Sequence, residues 1–145
     1  VPADPPPVWS EDFESARAAS AETGKPILAD FTGSDWCPPC RLLKEKVFQT
    51  QLFADWARSN VVLLKVDFPR NKPQTPEIRN QNRRLAERYG DRVKGFPTIL
   101  FLDADGKVLG AIGGYDGRGP RAWIDQAERM VPKTGEPEPM DSPSP

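Results

Sequence analysis

Apolar residues change their spacing from one stretch of the chain to the next, and those changes predict its elements. Over 10–23, Phe13, Ala16 and Ala19 recur at helical spacing, Ser10 offers an N-cap with Glu11 and Asp12 in the first turn, and Gly24 closes the segment. The run 26–31 is apolar, too short for a helix and bounded by Gly24 and Gly33, which predicts a buried strand. From Cys37 onward, Leu42, Leu43, Val47, Phe48, Leu52, Phe53 and Trp56 keep a helical stripe with a break near 49–51. The β-branched run 61–66 reads as a central strand buried on both faces. Polar residues and Pro69, Pro73 and Pro76 then fill 68–82, a long connection expected to be an excursion that carries partner contacts. Helical spacing resumes over 83–89 through Leu85 and stops at Gly90. Strands over 98–102 and 108–112 flank the turn Asp103-Ala104-Asp105-Gly106, a hairpin signature, and a last helix spans 118–130 with Trp123, Ile124 and Ala127 inward.

This order implies an α/β fold: a mixed sheet of about four strands flanked by helices, opened by a right-handed crossover and finished by a hairpin. A chain of 145 residues has room for one such domain. Of its 17 prolines, four fall in 1–7 and five in 132–145. That distribution divides the chain into a Pro-rich lead (1–9), a folded domain (10–131) and a Pro/Glu/Ser tail (132–145), both ends expected to be disordered.

Charge and composition narrow the chemistry. Twenty basic against 21 acidic residues leave a net charge of −1, which removes the broad basic surface a nucleic-acid partner needs. No apolar run is long enough to span a membrane, and a start at Val1 followed by prolines is what a mature exported chain looks like once a signal peptide or anchor is removed. The chain has no histidine, so Ser-His and Cys-His nucleophile systems and most catalytic zinc sites are excluded. Sulfur and carboxylate chemistry remain.

Cys37 and Cys40 are the only thiols, spaced Cys-x-x-Cys at the start of a helical stripe. A helix N-terminus favours an anionic sulfur on the first cysteine, which makes Cys37 the candidate nucleophile and Cys40, one turn on, the resolving thiol. Pro38 and Pro39 stiffen the motif and remove two N–H donors. Asp35 places a negative charge beside Cys37 that opposes thiolate formation, with Arg41 as a possible offset. The other readings of the pair are a structural disulfide or half of a zinc site, the second lacking two further soft ligands. No metal or cofactor is implied. Trp9, Trp56 and Trp123 read as packing residues.

Asp30-Phe31, Trp36-Cys37-Pro38-Pro39-Cys40, and Gly95-Phe96-Pro97-Thr98, with Pro97 57 residues after Cys40, together resemble the thioredoxin superfamily. The wording Phe-Thr-Gly-Ser-Asp-Trp-Cys and Val-Asp-Phe-Pro-Arg is similar to exported bacterial thioredoxin-like proteins. The resemblance implies that Pro97 is a cis-proline facing the disulfide, that the Phe96 backbone pairs with an extended substrate segment, and that 113–115 forms a loop beside the groove. It further implies that Asp30 is a buried carboxylate relaying a proton to or from Cys40, with Lys65 as its neighbour, and that Trp36, Pro38, Pro39 and Thr98 contact substrate. One departure is visible: Gly33-Ser34 lengthens the link into the motif by one residue.

The expected activity is thiol-disulfide exchange with protein disulfides, running as a reductase outside the cytoplasm on an upstream thiol reductant, by a monomer. The competing expectation is a non-enzymatic thioredoxin-fold binding module in which the two cysteines form a static staple.

Overall fold

The computed structural model describes residues 7–131; positions 1–6 of the lead and the whole tail, 132–145, lie outside the described residues. Strands β1 (Ile27–Thr32), β2 (Val62–Asp67), β3 (Thr98–Leu102) and β4 (Val108–Gly113) form one sheet in the order β2-β1-β3-β4. β1 runs parallel to β2 and antiparallel to β3, and β3 and β4 form the expected hairpin. The class and strand number are as the sequence implied. The position of β2 is not: it is an edge strand, and β1 and β3 are central. Its apolar character comes from layers packed on both faces, while its outer edge is covered by Ser10, which donates its N–H to Leu63 O and accepts from Lys65 N.

That pairing takes Ser10 out of the first helix. The cap of α1 (Phe13–Thr23) is Asp12, whose Oδ2 accepts from Ser15 N at 2.8 Å, and Gly24 ends the helix at φ 77° with its N–H on Ser20 O. The stripe after Cys37 resolves into α2 (Pro38–Leu43), a π-helical turn (Lys44–Phe48) and α3 (Gln51–Asn60). Thr50, inside the expected break, caps α3 through Phe53 N.

Helix α4 (Pro76–Arg88) starts seven residues before the expected 83, so half of the supposed excursion is helical. Its start carries ordinary signals, a Thr75 hydroxyl accepting from Ile78 N and Pro76 in the first turn. The apolar pattern misses it because an inward position is held by Asn82, 1% exposed, whose Nδ2 donates to Asp67 O at 2.9 Å. The last helix, α5 (Pro120–Glu128), is slightly shorter than expected.

Strand alternation sorts the core into two layers. Ile27, Ala29, Phe31, Leu64, Leu100 and Leu102 meet Phe13 and Ala16 of α1 and Leu85 of α4. On the other face Leu28, Leu63, Ile99 and Phe101 meet the π turn, α3 and α5. There Phe53, fully buried, touches Phe48, Trp56, Trp123 and Trp9 at ring-centroid distances of 4.9, 5.8, 5.8 and 6.3 Å. Trp9, which the sequence put at the end of the lead, therefore belongs to the packed domain, and Trp56 and Trp123 are packing residues as expected. Phe53→Ala is expected to cost about 3–5 kcal/mol of stability, read as a lower urea midpoint at unchanged m-value; a loss of less than about 1 kcal/mol would contradict this account of the aromatic layer.

Candidate active site

Two connections meet at the C-terminal end of β1. After Thr32 the chain turns on Gly33, whose carbonyl accepts from both Trp36 N and Cys37 N, and this turn delivers Cys37 in extended conformation (φ −100°, ψ 107°) as the N-cap of α2. Cys37 and Cys40 form a disulfide with Cα atoms 5.3 Å apart. Pro38 and Pro39 are exposed and lack N–H groups, so the first free donor of the helix is Cys40 N, and it points at Cys37 Sγ at 3.3 Å. The donor lost to the prolines is thus supplied by Cys40 itself.

From the other side comes the turn ahead of β3. The Phe96–Pro97 bond is cis, and Phe96 O lies 3.7 Å from Cys37 Sγ. Pro97 O accepts from Gly114 N, which brings the 113–115 loop alongside. Thr98 is buried, and its hydroxyl donates to Gly95 O at 2.6 Å, so its side chain braces this turn. The cysteines are 4% and 5% exposed.

Asp30 and Lys65 are register partners on neighbouring strands and face the helix that carries Cys40. Asp30 is 9% exposed, and its Oδ1 has no hydrogen-bond partner among the described residues. Burial pushes its carboxyl from 3.8 up to about 7, against the pull of the Lys65 charge and with a smaller push from Asp67. Asp30, Lys65 and Cys40 open into one cavity of about 470 Å³, walled by Trp9 and Phe48. The residues singled out as relay and neighbour thus share a compartment with the second sulfur.

The loop into the motif is tied to the segment that follows β2, a feature sequence reasoning missed. Asp35 Oδ1 and Oδ2 accept from Arg70 N and Asn71 N at 2.9 and 2.8 Å, and the Arg70 amide holds the Asp35 carboxyl below the usual carboxylate range. Asp35 therefore also serves as a structural tie, while Arg41 reaches its backbone carbonyl and not its carboxylate. Asp67, buried, accepts from Ser34 N and Ser34 Oγ at 2.9 and 2.6 Å and from Lys72 Nζ at 3.4 Å. Trp36 donates its indole N–H to Phe68 O at 2.7 Å, meets Phe96 edge to face at 5.8 Å, and carries the Arg70 guanidinium 3.7 Å from its ring centroid. Gly33 is required here because a Cβ would collide with the indole. The hydrogen bonds that tie the motif loop to Asp67, Phe68, Arg70 and Asn71 span 32 to 36 residues, and nothing in local spacing joins them.

Residues 13–128 match the model of the thioredoxin-like domain. The disulfide bond reductase DsbH of Chlamydia pneumoniae is 37% identical over 121 residues, which are 83% of this chain and 71% of that protein. The thioredoxin-related protein DsbJ of the same organism is 28% identical over 108 residues, but the match spans only 30% of its length. A solved structure of DsbH oxidoreductase superposes with a TM-score of 0.80 at 33% identity, covering 88% of this chain and 86% of that one. The chain belongs to the thioredoxin superfamily, and its Cys37–Cys40 pair fits the Cys-x-x-Cys of a thiol-disulfide oxidoreductase.

Proposed function

We propose that this oxidoreductase works as a reductase of protein disulfides outside the cytoplasm. The observation that carries the reading is the placement of Cys37 Sγ: at the start of α2, taking the Cys40 N–H, and 3.7 Å from Phe96 O beside the cis Phe96–Pro97 bond. The similarity to the DsbH reductase supports the direction, and the similarity to Dsb proteins supports export. No helix among the described residues is long and apolar enough to cross a membrane.

In the reduced protein the Cys37 thiolate attacks one sulfur of a partner disulfide; a mixed disulfide forms and the partner's other sulfur leaves as a thiolate. Cys40 then gives up its proton and attacks Cys37 Sγ. The Cys37–Cys40 bond forms, the mixed disulfide breaks, and the partner has gained two electrons. An upstream thiol reductant restores the dithiol. Asp30 takes the Cys40 proton: at a pKa of about 7 it can be ionised or protonated at neutral pH, and Lys65 steadies the ionised form. The Phe96 backbone and Pro97 align the partner's extended segment, and Trp36, Pro38 and Pro39 form the rim it passes over.

A second reading has one observation in its favour: Cys37 is only 4% exposed, as a static staple in a binding module would be. Insulin-disulfide reduction driven by dithiothreitol separates the two. The native chain is expected to accelerate it, Cys37→Ser to abolish the acceleration, and Cys40→Ser to accumulate a mixed disulfide; equal rates for the native chain and Cys37→Ser would favour the staple.

Asp30 makes a further expectation in two readouts. Its folded pKa is raised, so the fold is least burdened below about pH 4, where the carboxyl is neutral in both states, and loses stability as pH rises towards 7. Asp30→Asn removes that loss. Relative to the native chain, the variant should gain a few kcal/mol between pH 4 and pH 8 in urea denaturation, while its turnover near pH 7 falls about ten-fold or more. Rates that match the native chain from roughly pH 6 to 9 would contradict the relay.

A further inference from the structure

The segment after β2 does more than brace the motif. The motif and the clamp that holds it carry the cations Arg41, Arg70 and Lys72 and the carboxylates Asp35 and Asp67. Both carboxylates are engaged within the clamp: Asp35 by the backbone amides of Arg70 and Asn71, Asp67 by Ser34 and Lys72. Arg41 hydrogen-bonds a backbone carbonyl and Lys72 is paired to Asp67. That leaves Arg70, exposed, with no ion pair and no side-chain hydrogen bond among the described residues.

Arg70 is nonetheless held in place. Its amide is fixed by Asp35, and its guanidinium lies on the Trp36 ring at 3.7 Å. Trp36 in turn is fixed by Phe68 O and by the edge of Phe96, the residue whose carbonyl faces Cys37 Sγ. Stacking on an aromatic face leaves the outward N–H fork of a guanidinium open, pre-arranged for a planar carboxylate. An oriented cation with unspent donors, stacked on the side chain of Trp36, which adjoins Cys37 in the chain and meets Phe96, is a recognition element.

Building on the exchange reading above, we propose that Arg70, stacked on Trp36, selects partner segments that carry a carboxylate next to the target cysteine. The Asp35 and Asp67 ties are positioning contacts for this cation. With an overall charge of only −1, the preference comes from contact at the groove and not from a field over the whole molecule.

The test uses the reduced full chain and two disulfide-linked peptide dimers that differ only in Glu or Lys next to the cysteine, with neutral 2-hydroxyethyl disulfide as a third substrate. The native chain is expected to favour the Glu dimer about five-fold in kcat/KM, chiefly through KM. The preference should vanish in Arg70→Ala, reverse in Arg70→Glu and shrink in Arg70→Lys, which keeps the charge but not the planar fork. Because each readout is a ratio within one variant, a general loss of activity cancels. Equal kcat/KM for the two dimers with the native chain, or a preference that survives in Arg70→Glu, overturns the proposal. A native chain that does not turn over the neutral disulfide overturns the exchange reading itself, and the proposal with it.

Discussion

Strand β1 has a hydrogen-bonded neighbour on each edge and a packed layer on each face, and the site depends on that enclosure. All six of its residues are buried, so its register can slip neither way without turning Leu28 and Asp30 onto the wrong layer. The parallel neighbour brings Lys65 opposite Asp30. The antiparallel neighbour brings the start of β3, and with it the cis Phe96–Pro97 bond, level with the end of β1. The motif leaves β1 at the one point where both arrive. Asp30, whose Oδ1 has no hydrogen-bond partner among the described residues, lines a cavity that also reaches Cys40 and Lys65.

The second level of order lies outside the sheet. The loop into the motif is tied down by two carboxylates. Asp35 and Asp67 are each spent on backbone or hydroxyl donors across the gap, while Trp36 and Phe68 close the apolar side against Phe96. The Asp35 tie joins two loops, the other is anchored on Asp67 at the end of β2, and Phe68 and Phe96 pack against one layer of the core.

Elements built on dense apolar spacing were legible in the sequence: the four strands, the hairpin turn and the break between the π turn and α3. So was the local pair Cys37 and Cys40, while the cis bond at Phe96-Pro97 was expected from the family resemblance. What was hidden depends on contacts between distant residues. Ser10 and Asp12 are both competent caps, and only the pairing of Ser10 with β2 leaves the work to Asp12. The first half of α4 conceals itself because Asn82 fills an apolar position, satisfied by a carbonyl of β2. β2 reads as central since burial on two faces looks the same from sequence whether or not an edge is free. Asp35 shows only its charge in the sequence; that Arg70 and Asn71 take both of its oxygens is a contact across 35 and 36 residues.

The central claim is that the Cys37–Cys40 pair is a donor of electrons to other disulfides. Equilibrating the chain in dithiothreitol or glutathione buffers and reading the oxidised fraction measures its reduction potential directly. A reducing value, close to about −270 mV as in thioredoxin, is expected. A value near about −120 mV, that of a strong dithiol oxidant, would contradict it.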